Sequence, residues 1–261
     1  MAELDDAYAN GAYIADADSY PPRWAKQAAA FRTSLGARAK LGISYGATDR
    51  QAFDLFMPDS ASKGLFVFVH GGYWLKFDRS YWSHLAQGAV SRGWACAVPS
   101  YDLCPTVRIA EITKQVAACV SHAAAMVGGP ITLAGHSAGG HLVARMLAPQ
   151  MLAAPVRDRL AAIMPISPVA DLRPLLGTSM NEAFKLDDHL AAAESPVLQP
   201  VPVEPVTVVV GSEERPVFLD QARWLADAWD CAHVIVPGQH HFDVIDPLSE
   251  ADSALTKIIA P

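Results

Sequence analysis

The chain lacks the features that would mark a nucleic-acid binder, a membrane protein or a metal centre. Its 261 residues hold 20 Lys plus Arg against 27 Asp plus Glu, a formal net charge of -7, so no basic excess exists to neutralise phosphates. No apolar stretch approaches the roughly 20 residues a bilayer requires. The opening residues, Met1-Ala2-Glu3-Leu4-Asp5-Asp6, are acidic and carry neither the basic nor the apolar region of a secretory signal, so a cytoplasmic location is expected. Only four cysteines occur, Cys96, Cys104, Cys119 and Cys231. They show no C-x-x-C spacing, and no H-E-x-x-H accompanies the histidines, so reduced core thiols, no metal and no cofactor are expected. No Ser/Gly-rich linker, charge block or repeat divides the chain, and 51% hydrophobic content suffices for one large core. A single domain over residues 1–261 follows.

What is present is concentrated in short motifs. Ile131-Thr132-Leu133-Ala134-Gly135-His136-Ser137-Ala138-Gly139-Gly140 joins an apolar run to a G-x-S-x-G turn, and the helical pattern His141 to Ala148 follows. A serine on such a strand-to-helix corner is strained and exposed, and the flanking glycines remove side chains that would collide with strand or helix. Taken alone the pattern arises by chance in roughly a tenth of chains this long, so its context decides.

Upstream, Gly64-Leu65-Phe66-Val67-Phe68-Val69-His70-Gly71-Gly72-Tyr73-Trp74 reads as a buried parallel strand ending in paired glycines. Backbone N–H groups there can approach a ligand closely and stabilise the negative oxygen of a tetrahedral intermediate. The amides of Gly72 and Ala138 are the first candidates, with Gly71 and Tyr73 beside them.

A serine hydroxyl needs a base, and the base an orienting carboxylate, in the chain order Ser, acid, His. Val206 to Gly211 reads as a buried strand with Ser212-Glu213-Glu214-Arg215-Pro216 at its carboxyl end, and the strand Ala232 to Val236 leads into Gly238-Gln239-His240-His241-Phe242. His241 is the expected base and His240 its neighbour. Of the two glutamates, Glu213 is the first choice for the acid and Glu214 the reserve, because adjacent residues of an extended segment face opposite ways and only one can meet the imidazole.

The remaining elements alternate. Strands are expected at Leu41 to Tyr45, Ala52 to Met57, Trp94 to Pro99 and Ala161 to Ile166, and helices at Arg79 to Gly93, Val107 to Val127 and Pro216 to Asp230. This is the pattern of an α/β protein with a mostly parallel central sheet and helices on both faces. Residues 171–198 lack a strand pattern and contain Pro174, Gly177 and Pro196, so they read as a small cap insertion over the active site. Residues 1–36 form an N-terminal arm whose Tyr8, Tyr13, Tyr20, Trp24 and Phe31 either anchor it to the body or border the pocket.

Tyr45-Gly46 with Phe53-Asp54-Leu55-Phe56-Met57-Pro58, the His70-Gly71-Gly72-Tyr73-Trp74 loop and Gly135-His136-Ser137-Ala138-Gly139 together make the chain resemble the kynurenine formamidase (arylformamidase) branch of the α/β-hydrolases, near the hormone-sensitive-lipase-like esterases. The spacing to His241-Phe242 also fits, so the likeness covers most of the chain beyond residue 40. It implies an α/β-hydrolase fold and a serine hydrolase that cleaves small-acyl esters or aryl formamides such as N-formylkynurenine. Ser137 would attack and His241 would shuttle the proton. Trp74 and Tyr101 would border the substrate pocket, Trp74 together with Tyr73 on the acyl side and Tyr101, like Phe77 or Trp82, against an aromatic leaving group. The family's acid is commonly aspartate, whereas this loop offers glutamates. A general carboxylesterase or thioesterase, or a non-catalytic binding protein on the same scaffold, are the competing readings. The expected partner is a small-molecule ester or formamide, with a homodimer as the default assembly.

Overall fold

Ala2 and residues 4–261 are described in the computed structural model of the chain. The arm opens into helix α1 (Tyr20–Leu35), followed by strands β1 (Ala39–Ser44), β2 (Ala52–Phe56) and β3 (Leu65–Val69), helix α2 (Gln87–Ser91), β4 (Ala95–Pro99) and α3 (Ile109–Met126). Then come β5 (Ile131–His136), α4 (Ala138–Arg145), α5 (Ala154–Arg157) and β6 (Leu160–Ile166). Helices α6 (Asn181–Phe184) and α7 (Asp188–Glu194) precede β7 (Thr207–Gly211), α8 (Pro216–Trp229), β8 (Ala232–Val236) and α9 (Ala254–Ile259).

The described residues form an eight-stranded sheet in the order β1-β2-β4-β3-β5-β6-β7-β8. Only β1 with β2 and β2 with β4 pair antiparallel, so the sheet is mostly parallel as expected. Its core strands are covered on both faces, which the side-chain alternation shows directly: Leu65, Val67 and Val69 of β3 enter one apolar cluster, Phe66 and Phe68 the other. After β3 the chain fills β4 on one side and later β5 on the other. The carboxyl ends of β3 and β5 therefore flank a topological switch point, where open α/β sheets place their chemistry.

Two expectations are corrected, and one helix is added. Arg79 to Gly93 is not one helix: 3₁₀ turns at Arg79–Tyr81 and Ser83–Ala86 precede the short α2, because Trp82 must turn its ring under α1, 4.7 Å from the ring of Trp24. The arm, for which the sequence suggested no particular element, holds the 16-residue α1. Its paired prolines occupy the first helical turn, where a missing N–H costs nothing, and Trp24, Phe31 and Leu35 enter the second cluster. Strand β1 starts two residues early and is irregular between Lys40 and Ile43, where Gly42 adopts φ +67 and its N–H donates to Asp54 at 2.8 Å. The four cysteines are free, and no helix of the described residues is long and apolar enough to cross a membrane.

Gly139 sets how closely α4 can approach β3, since a Cβ there would run into the carbonyl oxygen of Val69 and lie 2.6 Å from that of His70. Gly128 has open space around it. Gly139→Ala is therefore expected to cost at least about 1–3 kcal/mol, and Gly128→Ala to stay within about 0.5 kcal/mol of wild type, both read from urea unfolding.

Candidate active site

Strand β5 delivers Ser137 at the centre of the sheet. Ser137 adopts φ 56 and ψ −116, a strained geometry for a residue with a side chain, and the packing around it leaves no alternative. Its N–H donates to Ile166 O at 2.8 Å and its carbonyl accepts from His141 N at 3.1 Å, starting α4. A Cβ on Gly135 would strike the Gly139 carbonyl. The hydroxyl of Ser137 does not cap the helix, so it is not engaged by its own first turn.

The loop after β3 lies against this corner: a Cβ on Gly71 would sit 2.7 Å from His136 O and 3.0 Å from Ser137 Cβ. Gly72, Tyr73 and Trp74 carry φ of +106, +53 and +55, so the chain turns sharply after the strand. Among the described residues, the N–H groups of Gly71, Gly72, Tyr73 and Ala138 donate to no protein acceptor. At the start of α4 the helix dipole adds a positive potential. Oxyanion donors require such free amides.

The structure brings Glu214 to His241, and Glu213 does not take part. Nδ1 of His241 donates to Oε2 of Glu214 at 2.6 Å. The other carboxylate oxygen accepts from Gly211 N–H at 3.0 Å and from the hydroxyl of Ser167. The reserve acid thus replaces the first choice, and the reason is local. Glu214 N–H closes a turn onto Gly211 O, which folds its side chain back beneath the strand end, whereas Glu213 is exposed and donates its own N–H to Gln239 O at 2.9 Å. Ser167, fully buried with φ 46, was missed at sequence level. Its only signal was its place directly after β6.

His241 is 4% exposed and packs between His136, with ring centroids 4.6 Å apart, and Phe218 at 4.3 Å. Since His136 precedes Ser137, the imidazole lies at the serine corner. Burial, helped by the neighbouring His241, pushes His136 well below the usual histidine range, so it stays neutral there. His240 makes no hydrogen bond with Glu214; its Nε2 pairs with the Tyr20 hydroxyl at 2.9 Å.

Trp74 and Tyr101, expected to border the pocket, are instead interior anchors of the loop. Both are fully buried. Trp74 stands edge-on to His141 at 5.1 Å and to Phe184 at 5.5 Å. Tyr101 stacks on His70 at 4.4 Å, and its hydroxyl donates to His70 O at 2.8 Å. Trp82 is buried beneath α1, and Phe77 is half-buried against Trp24 and Trp82. The open space beside His241 is a cleft of about 220 Å³, lined by Asn10, Tyr13 and Ile14 of the arm and by Glu213, Arg215 and His240. The arm therefore both anchors, through Tyr8 and Trp24, and borders the cleft, through Tyr13. Residues 171–198 carry short helices, and Glu194 of that segment is buried against Arg145 at 3.2 Å and Thr113 at 2.8 Å. No group of three or more His, Cys, Asp or Glu among the described residues is arranged to hold a metal.

Known proteins bear on this arrangement. A family model described as the α/β hydrolase fold matches residues 66–239. The chain is 29% identical to a kynurenine formamidase of Drosophila melanogaster over 238 residues, covering 83% of this chain and 79% of the relative. It is 26% identical to one of Danio rerio over 236 residues, 84% and 80% respectively. The crystal structure of a candidate thioesterase from Silicibacter sp. TM1040 superposes with a TM-score of 0.99 at 60% identity, covering all of both chains.

A carboxylate on Nδ1 fixes which nitrogen holds the proton. Glu214→Ala is therefore expected to abolish a low-field Nδ1–H proton resonance that Glu213→Ala retains. The pH dependence of stability has a definite sign as well. Burial pushes His70, His84 and His141 down to about 4. From their ordinary pKa of about 6.5 down to pH 4 the unfolded chain binds more protons, and stability falls with falling pH by up to about 1.4 kcal/mol per unit for each. Asp246, raised to about 6 by burial, works the opposite way as one group against three. The urea midpoint should drop between pH 6.5 and 4.5, with no contribution from these histidines above pH 7.

Proposed function

The chain belongs to the α/β-hydrolase fold family, and we propose that within it the protein is a serine hydrolase of small-acyl esters and aryl formamides, with Ser137, His241 and Glu214 as its triad. The observation that carries this reading is the 2.6 Å contact of Glu214 with Nδ1 of His241, made beside a serine on a strained strand-to-helix corner. With Nδ1–H engaged, Nε2 is left as the basic nitrogen. It takes the Ser137 proton as the hydroxyl oxygen attacks the carbonyl carbon, and Glu214 stabilises the imidazolium that forms. The amides of Gly72 and Ala138, with Gly71 and Tyr73 adjoining, receive the negative oxygen of the tetrahedral intermediate. Collapse returns the proton to the departing arylamine or alcohol and leaves an acyl-serine. Water, deprotonated by the same imidazole, then releases the acid.

Kynurenine formamidase relatives support the formamide among possible substrates. A second reading, an acyl thioesterase, is favoured by the candidate thioesterase of 60% identity. The machinery serves both, because the leaving atom is discriminated by pocket contacts and not by the triad.

Relative kcat/KM for N-formylkynurenine, p-nitrophenyl acetate and a short acyl thioester decides between them. Ser137→Ala should abolish turnover on all three and block fluorophosphonate labelling. Glu214→Ala should lower kcat by about 10³–10⁴-fold, and Glu213→Ala by less than about threefold. Wild-type protein that neither turns over any of these nor labels would be a binding protein on this scaffold.

A further inference from the structure

The loop that presents the candidate oxyanion amides is held in an unfavourable backbone conformation by contacts from outside itself. Tyr73 and Trp74 are side-chain-bearing residues with φ of +53 and +55, and such conformers persist only where their surroundings over-determine them. Trp74 is fixed by the core. Tyr73 is fixed by the N-terminal segment, since its hydroxyl donates to the backbone carbonyl of Tyr8 at 2.8 Å. Burial pushes the Tyr73 phenol well above its usual range, so it stays a donor.

Tyr8 is itself secured. It is buried, and its hydroxyl accepts from Gln221 Nε2 at 3.1 Å. Gln221, fully buried, also accepts from the amides of Ala170 and Asp171 at 2.8 and 2.7 Å. The Tyr8 ring meets Phe218 edge-on at 6.0 Å, and Phe218 lies 4.3 Å from His241. The segment is tied down on either side: Leu4 N–H donates to Gly177 O at 3.1 Å. Arg215 pairs with Asp6 at 2.9 Å, its guanidinium stacked 3.6 Å from the Tyr13 ring. One residue near the start of the chain thus touches both the amide-bearing loop and the ring packed on the imidazole.

The geometry points to residues 4–14 as a built-in part of the active site, with the hydrogen bond from Tyr73 to the Tyr8 carbonyl as the contact that holds the amides of Gly72 and Tyr73 where the oxyanion develops. This rests on the proposed hydrolase function. Tyr73 acts as a positioning residue: its side chain points into the arm, and what it governs is the placement of its own backbone and that of Gly72. A displacement near 1 Å of such a donor is enough to cost on the order of 10²-fold in rate.

Tyr73→Phe removes one oxygen and keeps the ring, and the Tyr8 carbonyl retains the Asn10 N–H at 3.1 Å, so no buried acceptor is orphaned. With p-nitrophenyl acetate, kcat should fall at least roughly tenfold while KM stays within about threefold. The Ki of an aryl trifluoromethyl ketone, which forms a tetrahedral adduct on serine, should rise by a matching factor. The Tm should move by no more than about 2–4 °C. Tyr8→Phe, which frees Tyr8 from Gln221 but keeps its carbonyl, should shift kcat and Ki together in the same direction by less. A Tyr73→Phe enzyme within about threefold of wild-type kcat overturns the inference, as does a fall in Tm with Ki unchanged. If wild type itself neither turns over the ester nor binds the ketone, the hydrolase reading fails first, and the two failures are told apart.

Discussion

A buried carboxylate with every oxygen engaged organises this end of the sheet. Glu214 is 7% exposed, and an unpaired carboxylate at that depth would be costly enough to reshape the loop. Three donors prevent it: Gly211 N–H from the end of β7, the Ser167 hydroxyl from the end of β6, and Nδ1–H of His241 from the loop after β8. Each comes from a different strand end, so the carboxylate is satisfied only when β6, β7 and β8 stand in their native register. The serine corner is tied into the same frame, since Ser137 N–H and Ser167 N–H donate to Ile166 O and Val209 O. Sheet register and site geometry are one constraint.

The loop after β3 is the opposite case, because its amides at Gly71, Gly72 and Tyr73 are left unbonded to protein. Free backbone donors and positive φ angles both destabilise a fold, and here large aromatic side chains offset them from behind. Trp74 enters the core between His141 and Phe184, Tyr101 stacks on His70 and bonds its carbonyl, and Tyr73 reaches the arm. Residues whose size and place suggested contact with a substrate serve to hold the backbone that would contact it.

That distinction marks how far the sequence was legible. The strands, the serine corner, the paired-glycine loop and His241 were readable because each is local: apolar runs with glycine at defined offsets. The choice between Glu213 and Glu214 was not, since it depends on a turn closed by Glu214 N–H on Gly211 O and on donors from β6 and the last loop. The aromatics were misassigned for the same reason. Whether Trp74 faces a cavity or a core depends on Phe184, 110 positions along the chain, and whether Tyr101 stacks on substrate or on His70 depends on the β3–β4 pairing. Helix α1 carries no motif of the kind that marks the other elements, and its Pro-Pro start fits a helix only as a first turn.

The two segments that the strand pattern does not describe are both attached by directed polar contacts. Glu194 of the segment between β6 and β7 is buried with Arg145 and Thr113, and its backbone carbonyl pairs with His141 Nε2 at 2.8 Å. The arm is attached through Tyr8, Gln221, Asp6 and Arg215. A buried ion pair contributes little net stability against an apolar replacement, yet removing one partner is costly, so such contacts define one geometry more than they add to its depth. His141 and Arg145 both lie on α4, the helix that begins immediately after Ser137. Residues 171–198 are therefore fixed to the helix that begins at the serine corner, and the arm, which lines the cleft beside His241, is fixed to the loop after β3. The serine corner, the loop after β3 and the arm-lined cleft are thus held by shared residues, which is the condition for a geometry formed in advance.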